Sequence, residues 1–537
     1  MFEVQNQPPP LEPYNLYSSD AVLREAVRRE GASWAESDLN ALGAKLGTPE
    51  TVQLGFDANR FPPQLRTLDR YGHRLDEVEF HPAWHALLDV ALAAGLHSGP
   101  WANPKPGAHV ARAAGTYMLA QIESGVYCPL AMTYGSVPTL RHSPRIADEW
   151  LPRIYSREYD RRFRPVRLKS SALIGMGMTE NQGGSDLRTN TTQAKPSADG
   201  SFRIYGHKWF MSAPMCDAFL VLAQAPNGLS CFLLPRWTPD GERNSIFILR
   251  LKEKLGNRAN ASSEVEFQGA YAQLVGEEGR GIPTIIEMGN YTRLDCCIGS
   301  SALMRQAVTQ AVHHARHRVV FQKKLIDQPL MANVLADLAL ESEAATVLTM
   351  WLARAYDENH EAALVIRRVV TPAAKFWICK RTPVVTYEAM EVLGGSGYIE
   401  ESIMPRLYRE APVNSIWEGS GNIMCLDVLR AIQRTPNAVE VLCQEFAECK
   451  DDRIGSYSEH LAKRLTSSEL ADESQARTLV RNLILALQGS LLVRSAPANI
   501  ADAFCASRLG GDAGSAFGVL PRGLDMRGIA NRAAANG

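Results

Sequence analysis

No stretch of the chain approaches the roughly 20 consecutive apolar residues that a membrane-spanning helix needs, so no such span is expected. The ten cysteines are scattered, no C-x-x-C pair occurs, and only Cys296 and Cys297 are adjacent. That spacing speaks against a zinc knuckle or a redox dithiol. An excess of either charge is missing too, with 57 Lys plus Arg against 58 Asp plus Glu. Nothing global draws the protein to a polyanion, so any such binding has to come from a local patch. The opening MFEVQNQPPPLEPYN has no basic stretch leading into an apolar one, which argues against a signal peptide. A reducing, cytoplasmic setting is expected.

What is present is a chain of 537 residues, 45% hydrophobic and 21% charged, long enough for several domains and a large core. After a Pro-rich arm, AVLREAVRREGASW and HPAWHALLDVALAAGL carry apolar residues at helical spacing. The basic REYDRRFRPVRLK reads as a linker. From about Ser170 the period shortens: FRIYGHKWFMS, DAFLVLAQA, LSCFLLPRW, SIFILRL and SSEVEFQGAYAQLVG are strand-like, with ADG, PNG and PDG as turns. A compact antiparallel barrel or sandwich is expected there. Beyond GEEGRGI a long apolar stripe that includes Leu335, Leu338, Leu348 and Leu352 predicts a helical bundle. The expected segments are an N-terminal extension and helical domain (1–169), a middle β domain (170–279), a bundle (280–440) and a C-terminal helical extension (441–537).

Three motifs carry chemistry. MTENQGGSD, from Met178 to Asp186, joins a small hydroxyl residue to a Gly-rich turn whose amides can approach phosphate or an acceptor-rich ring. A plain glycine turn would read the same. YGHKWFMSAP is an amphipathic strand that could equally hold Trp209 in a core. RLYREAPVNSIWEGSGNIMCLDVLR places Glu418 beside a Gly-Ser turn, where a helix-entry carboxylate is the bland alternative.

In this order and at these separations the motifs resemble those of the acyl-CoA dehydrogenase family. That resemblance implies a mainly α fold with a β domain: an N-terminal helical domain, a middle antiparallel β-barrel and a C-terminal four-helix bundle. Here an extra C-terminal helical domain follows. PPPLEPYNLYSSD, GMGMTENQGGSD, KLGNRANASSEVEF and IWEGSGNIMCLDVLR further resemble the AidB-like alkylation-response branch.

The resemblance implies FAD as cofactor and Glu418 as the base that takes an α-proton from an acyl thioester while the β-hydride passes to the flavin. By carry-over the first group of FAD contacts is Met176, Gly177, Met178, Thr179, Glu180, Asn181, Gln182, Gly183, Gly184 and Ser185. A second is Phe210, Met211 and Ser212. A third is Ile416, Trp417, Glu418, Gly419, Ser420, Gly421, Asn422, Ile423, Met424, Cys425 and Leu426. Gln322 and Glu391 depart from the family's usual Gly and Gln, so Arg318, Gly394 and Gly395 are left out of the expected site.

The branch further implies a homotetramer that binds double-stranded DNA, takes part in defence against alkylating agents and has weak activity on isovaleryl-CoA. Arg430, Arg477 and Arg481 are the candidate DNA contacts, and no helix-turn-helix or zinc-finger pattern accompanies them. From residue 474 onward seven arginines face three aspartates, a mild basic excess. His313 and His317 stand four apart without acidic or cysteine partners, so no metal is expected. An ordinary short- or branched-chain acyl-CoA dehydrogenase without a DNA role remains the alternative. A flavin-free DNA scaffold is disfavoured by the three flavin motifs.

Overall fold

The computed structural model describes residues 3–510 and 516–535; Asp512, one of the three aspartates just counted, lies outside them. They fall into two compact units. One comprises Glu50–Pro104 and Ile122–Thr292, the other Met1–Pro49, Lys105–Gln121 and Arg293–Gly537. No helix among the described residues is long and apolar enough to cross a membrane.

The chain opens with α1 (Ala21–Arg29), capped by Asp20, whose carboxylate accepts from the Leu23 N–H at 3.0 Å. The helical reading of the first 169 residues is interrupted by an antiparallel hairpin, β1 (Gln64–Leu68) and β2 (Arg74–Glu79). The reason lies in the turn: Asp69 Oδ1 accepts from the N–H groups of Tyr71 (2.8 Å) and His73 (2.9 Å), closing the bend. Helices α2 (Pro82–Ala93) and α3 (Tyr127–Leu140) follow.

The barrel is built from β3 (Ile174–Gly177), β4 (Gln193–Pro196), β5 (Phe202–Ser212), β6 (Ala218–Ala225), β7 (Gly228–Pro235), β8 (Ile246–Leu251) and β9 (Ser262–Val275). Pairings run β5–β4–β6–β7–β9 and back to β5, so the ring closes and its members have no free edge. The expected all-antiparallel pattern holds except along β6, where β3 and β4 pair in parallel. β3 lies opposite Ala218–Val221 and β4 opposite Gln224. They are two pieces of a single strand position, and the chain leaves it between residues 178 and 192. The MTENQGGSD motif is that excursion. α3 backs β3: Thr133 Oγ1 accepts from the Ile174 N–H at 3.0 Å.

The longer helices after the barrel include α4 (Gly281–His317), α5 (Pro329–Ala355), α6 (Glu361–Val392), α7 (Gly421–Arg434), α8 (Ala438–Ala447), α9 (Asp452–Leu465), α10 (Ala476–Ser495) and α11 (Ala498–Arg508), and the short α12 (Met526–Arg532) follows. α5 is buried on nearly every residue from Leu335 to Ala355 and packs against α1, α6, α10 and α12. Its buried surface includes three acids: Asp337, Glu341 and Glu343. Arg508 of α11 pairs with Asp337 and with Glu341 (3.3 Å), Arg381 of α6 pairs with Glu341 (3.0 Å), and Arg532 of α12 pairs with Glu343 (3.0 Å) and with Glu25 of α1. The C-terminal helices thus supply counter-charges to the centre of the bundle.

Burial pushes the Glu343 carboxyl up to about 7 even with Arg532 beside it. The folded state therefore holds this proton more tightly than the unfolded chain, where a glutamate titrates near 4.5. Its contribution to stability is full below that value and is lost as pH rises to about 7. Thermal melts across this window should show Glu343→Gln flattening the decline. Arg532→Ala should lower stability above neutral pH and push the Glu343 titration higher still, with Glu343→Gln removing this pH dependence.

Candidate active site

The excursion in the barrel is pinned at its root by a buried ion pair. Lys208 Nζ lies 2.7 Å from Glu180 Oε1 and also donates to Leu222 O at 2.8 Å, with both side chains wholly inaccessible. Glu180 also accepts from the Thr191 N–H (2.7 Å), the Thr192 N–H (3.2 Å) and Gln182 Nε2 (2.9 Å). Burial works against the Glu180 charge, but the ammonium and these donors outweigh it and hold the carboxyl below its ordinary value. Burial likewise brings Lys208 down to about 8, against the pull of Glu180. Of the motif's two carboxylates, that of Glu180 thus faces inward, while Asp186 is exposed.

What the loop offers outward is hydroxyls, amides and apolar surface. Glu180 and Gly183 exchange backbone hydrogen bonds (3.3 and 3.1 Å), making a tight turn, and the Asn181 N–H donates to His207 Nε2 at 3.0 Å. The Trp209 N–H donates to Thr179 O at 2.8 Å, tying the excursion to β5. A Cβ on Gly184 would come within 2.5 Å of Thr179 Oγ1, so only glycine lets the turn fold onto that side chain. The hydroxyls of Thr179, Ser185 and Ser212 make no hydrogen bond among the described residues. Met176 pairs with Ser212 across β3 and β5, with Gly177 next to it, while Met178 is half-buried and Met211 fully buried. Phe210 is 46% exposed, uncommon for an aromatic on an internal strand, and Lys252 Nζ stands 4.6 Å from its ring centroid. A hydroxyl and amide donor set beside an uncovered aromatic, with the Glu180 carboxylate turned away, fits an acceptor-rich ring and its phosphates.

In the helical unit, Glu418 adopts φ +58° and Gly419 φ +106°. A non-glycine residue there is strained and needs its surroundings to hold it. Arg293 Nε of α4 donates to Glu418 O at 3.1 Å, and Lys375 Nζ of α6 donates to Gly419 O at 2.7 Å. Asp427 of α7 fixes Arg293 (2.9 Å) and also pairs with Arg368 (2.7 Å). Burial opposes the Asp427 charge, but Arg368 and Arg293 keep its carboxyl below the ordinary value. Trp417 Nε1 donates to Asn414 Oδ1 at 3.1 Å, Ile416 is 65% exposed, and Glu418 is half-buried.

Ser420 caps α7 without a side-chain hydrogen bond, so the first amides of the helix remain for another acceptor. Gly421, Met424 and Cys425 face the core, whereas Ile423 and Leu426 are half-buried and Asn422 is exposed. Arg293, Lys375 and Asp427 escaped sequence reasoning. The one signal for Lys375 was a lysine amid Ala373, Ala374, Phe376 and Ile378.

The arginines divide. Arg430 is exposed on α7, Arg477 donates to Asn422 Oδ1 at 2.9 Å, and Arg481 donates to its neighbour Asn482. Of the seven arginines behind the C-terminal basic excess, Arg494, Arg508, Arg527 and Arg532 are engaged in ion pairs. Arg508 and Arg532 meet buried acids, so part of the excess counted along the sequence is turned inward, whereas Arg527 and Arg522 are exposed. Arg318 donates to Asn6 O at 2.6 Å, and His313 Nε2 lies 2.8 Å from Pro9 O, so both are tied to the N-terminal arm.

Residues 175–270 match the acyl-CoA dehydrogenase middle domain, 279–433 its C-terminal domain, and 6–161 the adaptive response protein AidB N-terminal domain. The chain is 49% identical over 507 residues to the AidB protein of Escherichia coli (strain K12), covering 94% of this chain and 93% of that one. It is 29% identical to acyl-CoA dehydrogenase family member 11 of Caenorhabditis elegans, over 91% of this chain and 82% of the relative. The crystal structure of Caenorhabditis elegans ACDH-11 in complex with C11-CoA superposes with a TM-score of 0.86 at 27% identity, covering 95% of this chain and 93% of that one. A Bacillus anthracis acyl-CoA dehydrogenase complexed with FAD shares the fold at a TM-score of 0.65, 17% identity and coverage of 79% of this chain and 80% of that one. The chain belongs to the acyl-CoA dehydrogenase family, in its AidB-like branch. Proteins of this family bind FAD.

Lys208→Met should raise amide exchange across residues 178–192 and cost about 3–5 kcal/mol, because it strands a buried carboxylate. Adding Glu180→Gln should recover part of that loss in a denaturant titration.

Proposed function

We propose that this protein holds FAD and binds an acyl-CoA thioester whose α-proton is taken by Glu418. The observation that carries the reading is the Glu418 turn, a strained backbone fixed through its carbonyls by two cations. The residues that would hold FAD are 176–185 and 210–212 of the barrel unit and 416–426 of the helical unit. The hydroxyls of Thr179, Ser185 and Ser212 and the open amides of the excursion and of the first turn of α7 are donors suited to it. FAD, when bound, supplies the acceptor for the β-hydride. Glu418 acts as general base, and the polarity of its backbone N–H supports the negative charge that develops on the thioester oxygen. Trp417, bulky and held by Asn414, narrows the space beside the base and favours short or branched acyl chains such as isovaleryl. Glu418→Gln should abolish anaerobic flavin bleaching by isovaleryl-CoA while leaving FAD content unchanged. Bleaching at the wild-type rate would remove Glu418 from the role.

We also propose that the protein is a homotetramer that binds double-stranded DNA and takes part in protection against alkylating agents. The named N-terminal domain of its branch and the exposed Arg430, Arg477 and Arg481 support this. α7 and α10, which carry these arginines, pack against each other. A tetramer would multiply a weak patch. The pairing of Arg508 and Arg532 with buried acids favours the alternative, an acyl-CoA dehydrogenase without a DNA role. Duplex titrations at several salt concentrations separate the two: replacing the three arginines with alanine should reduce the salt slope by about 3. Absence of duplex binding to wild-type protein at low salt would leave the enzyme reading alone.

A further inference from the structure

Lys375, one of the two cations on the Glu418 turn, is among the most completely buried side chains of the protein, at 1% exposure. It sits within α6 among Ala373, Ala374, Phe376 and Ile378, where an apolar residue of similar length would pack without penalty. Taking an ammonium out of water costs several kcal/mol unless something compensates. Its hydrogen bond runs to the backbone oxygen of Gly419, at 2.7 Å. A costly polar group at the foot of a strained turn marks a site where local stability gives way to another demand.

The geometry shows what that demand is. Consecutive carbonyls, those of Glu418 and Gly419, are each held by a cation, Arg293 for the first and Lys375 for the second. A trans peptide directs its carbonyl and its N–H to opposite sides. Holding both carbonyls on the bundle side therefore turns the amides of Gly419 and Ser420 to the other side. The same two bonds keep Glu418 at φ +58°, a conformation that would otherwise relax. The two anchors differ in kind. Arg293 is itself braced by Asp427, which Arg368 shares. Lys375 has no acidic brace of this kind among the described residues; its charge eases the rise that burial imposes on the thiols of Cys296, Cys297 and Cys379.

We infer that Lys375 is a positioning residue, whose buried ammonium fixes the Glu418–Gly419–Ser420 turn through Gly419 O and thereby sets where the carboxylate of Glu418 can reach. This rests on Glu418 being the base. Misplacing a base by about 1 Å costs about a hundredfold in rate while leaving binding groups intact. The effect of losing Lys375 therefore belongs to the proton-transfer step and not to ligand affinity.

The experiment uses the full chain with Lys375→Met, which keeps length and removes the donor, and Lys375→Arg, which keeps charge and donor. Isovaleryl-CoA is the probe, and its α-proton exchange in deuterated buffer reports on the base without an electron acceptor. In Lys375→Met, exchange per bound FAD should fall about tenfold or more, with the dissociation constant of isovaleryl-CoA within about twofold of wild type. Lys375→Arg should restore a substantial part of the rate. Before FAD is added, amide exchange in Lys375→Met should rise at residues 419–422 and nowhere else in α7. Wild-type exchange per bound FAD in Lys375→Met overturns the inference. So does a loss confined to melting temperature and FAD content with the rate per FAD intact. Should Lys375→Met fail to fold, Lys375→Gln, a shorter donor, is read by the same criteria. Glu418→Gln run in parallel separates the levels. If it still exchanges the α-proton, the base assignment falls and this inference with it. If it is inert while Lys375→Met is unaffected, this inference falls alone.

Discussion

Charge removed from water has to be compensated within the protein, and each part of this structure that bears on function is organised by that constraint. The excursion between β3 and β4 stays in place because Glu180 and Lys208 neutralise each other at its root. The turn at Glu418 stays in place because Arg293, braced by Asp427, and Lys375 grip its carbonyls. The bundle centre tolerates three acids on α5 because arginines from α6, α11 and α12 reach them. Desolvation makes an unpaired member of any such set expensive, so breaking one costs far more than the pair itself contributes. The result is rigidity at two backbone segments that would otherwise be loops. Neither could be held by apolar packing alone, since both carry polar backbone that must be satisfied.

Much of the architecture could be read along the chain because it is encoded locally. The strands between residues 202 and 275 announce themselves by β-branched and aromatic residues, and the turns at ADG, PNG and PDG by their chemistry. The stripe through Leu335 and Leu352 announced α5 in the same way. What escaped is set by distant partners. The parallel pairing of β3 and β4 along β6 depends on a strand that begins dozens of residues later, and no periodicity reports direction. The hairpin at residues 64–79 was hidden because its strands carry charges on both faces and little apolar alternation. Lys375 was hidden for the opposite reason, as a single polar residue inside a helix whose pattern is otherwise apolar.

The same distinction between local and distant information governs the carboxylates. Glu180 and Glu418 each sit beside a glycine-rich turn in a motif, and by sequence alone both qualify as residues that face a ligand. Their surroundings separate them. Glu180 accepts from Lys208 and from backbone amides of residues 191 and 192, and it is wholly buried. Glu418 is engaged through its backbone carbonyl and remains half-buried. A carboxylate saturated with donors is a poor base, because each bond stabilises the charged form that must accept the proton. Glu180 therefore belongs to the scaffold of the barrel and is unsuited to act as a base.

A net charge counted over a segment says little about its field until the partners are known. The seven arginines after residue 474 suggest a basic surface, yet Arg508 and Arg532 face acids on α5 that lie more than 150 positions earlier. Those acids are themselves nearly inaccessible, so the arginines that match them add almost nothing to the outer potential. Of the seven, Arg477, Arg481 and Arg522 are in no ion pair among the described residues, and Arg477 and Arg481 lie on a helix packed against the one that carries the exposed Arg430. Such a patch is small for one chain, since duplex affinity grows with the number of phosphates neutralised at once. Repetition of the patch by assembly would raise that number without altering the chain's neutral balance. The proposed duplex binding would for that reason depend on the proposed assembly.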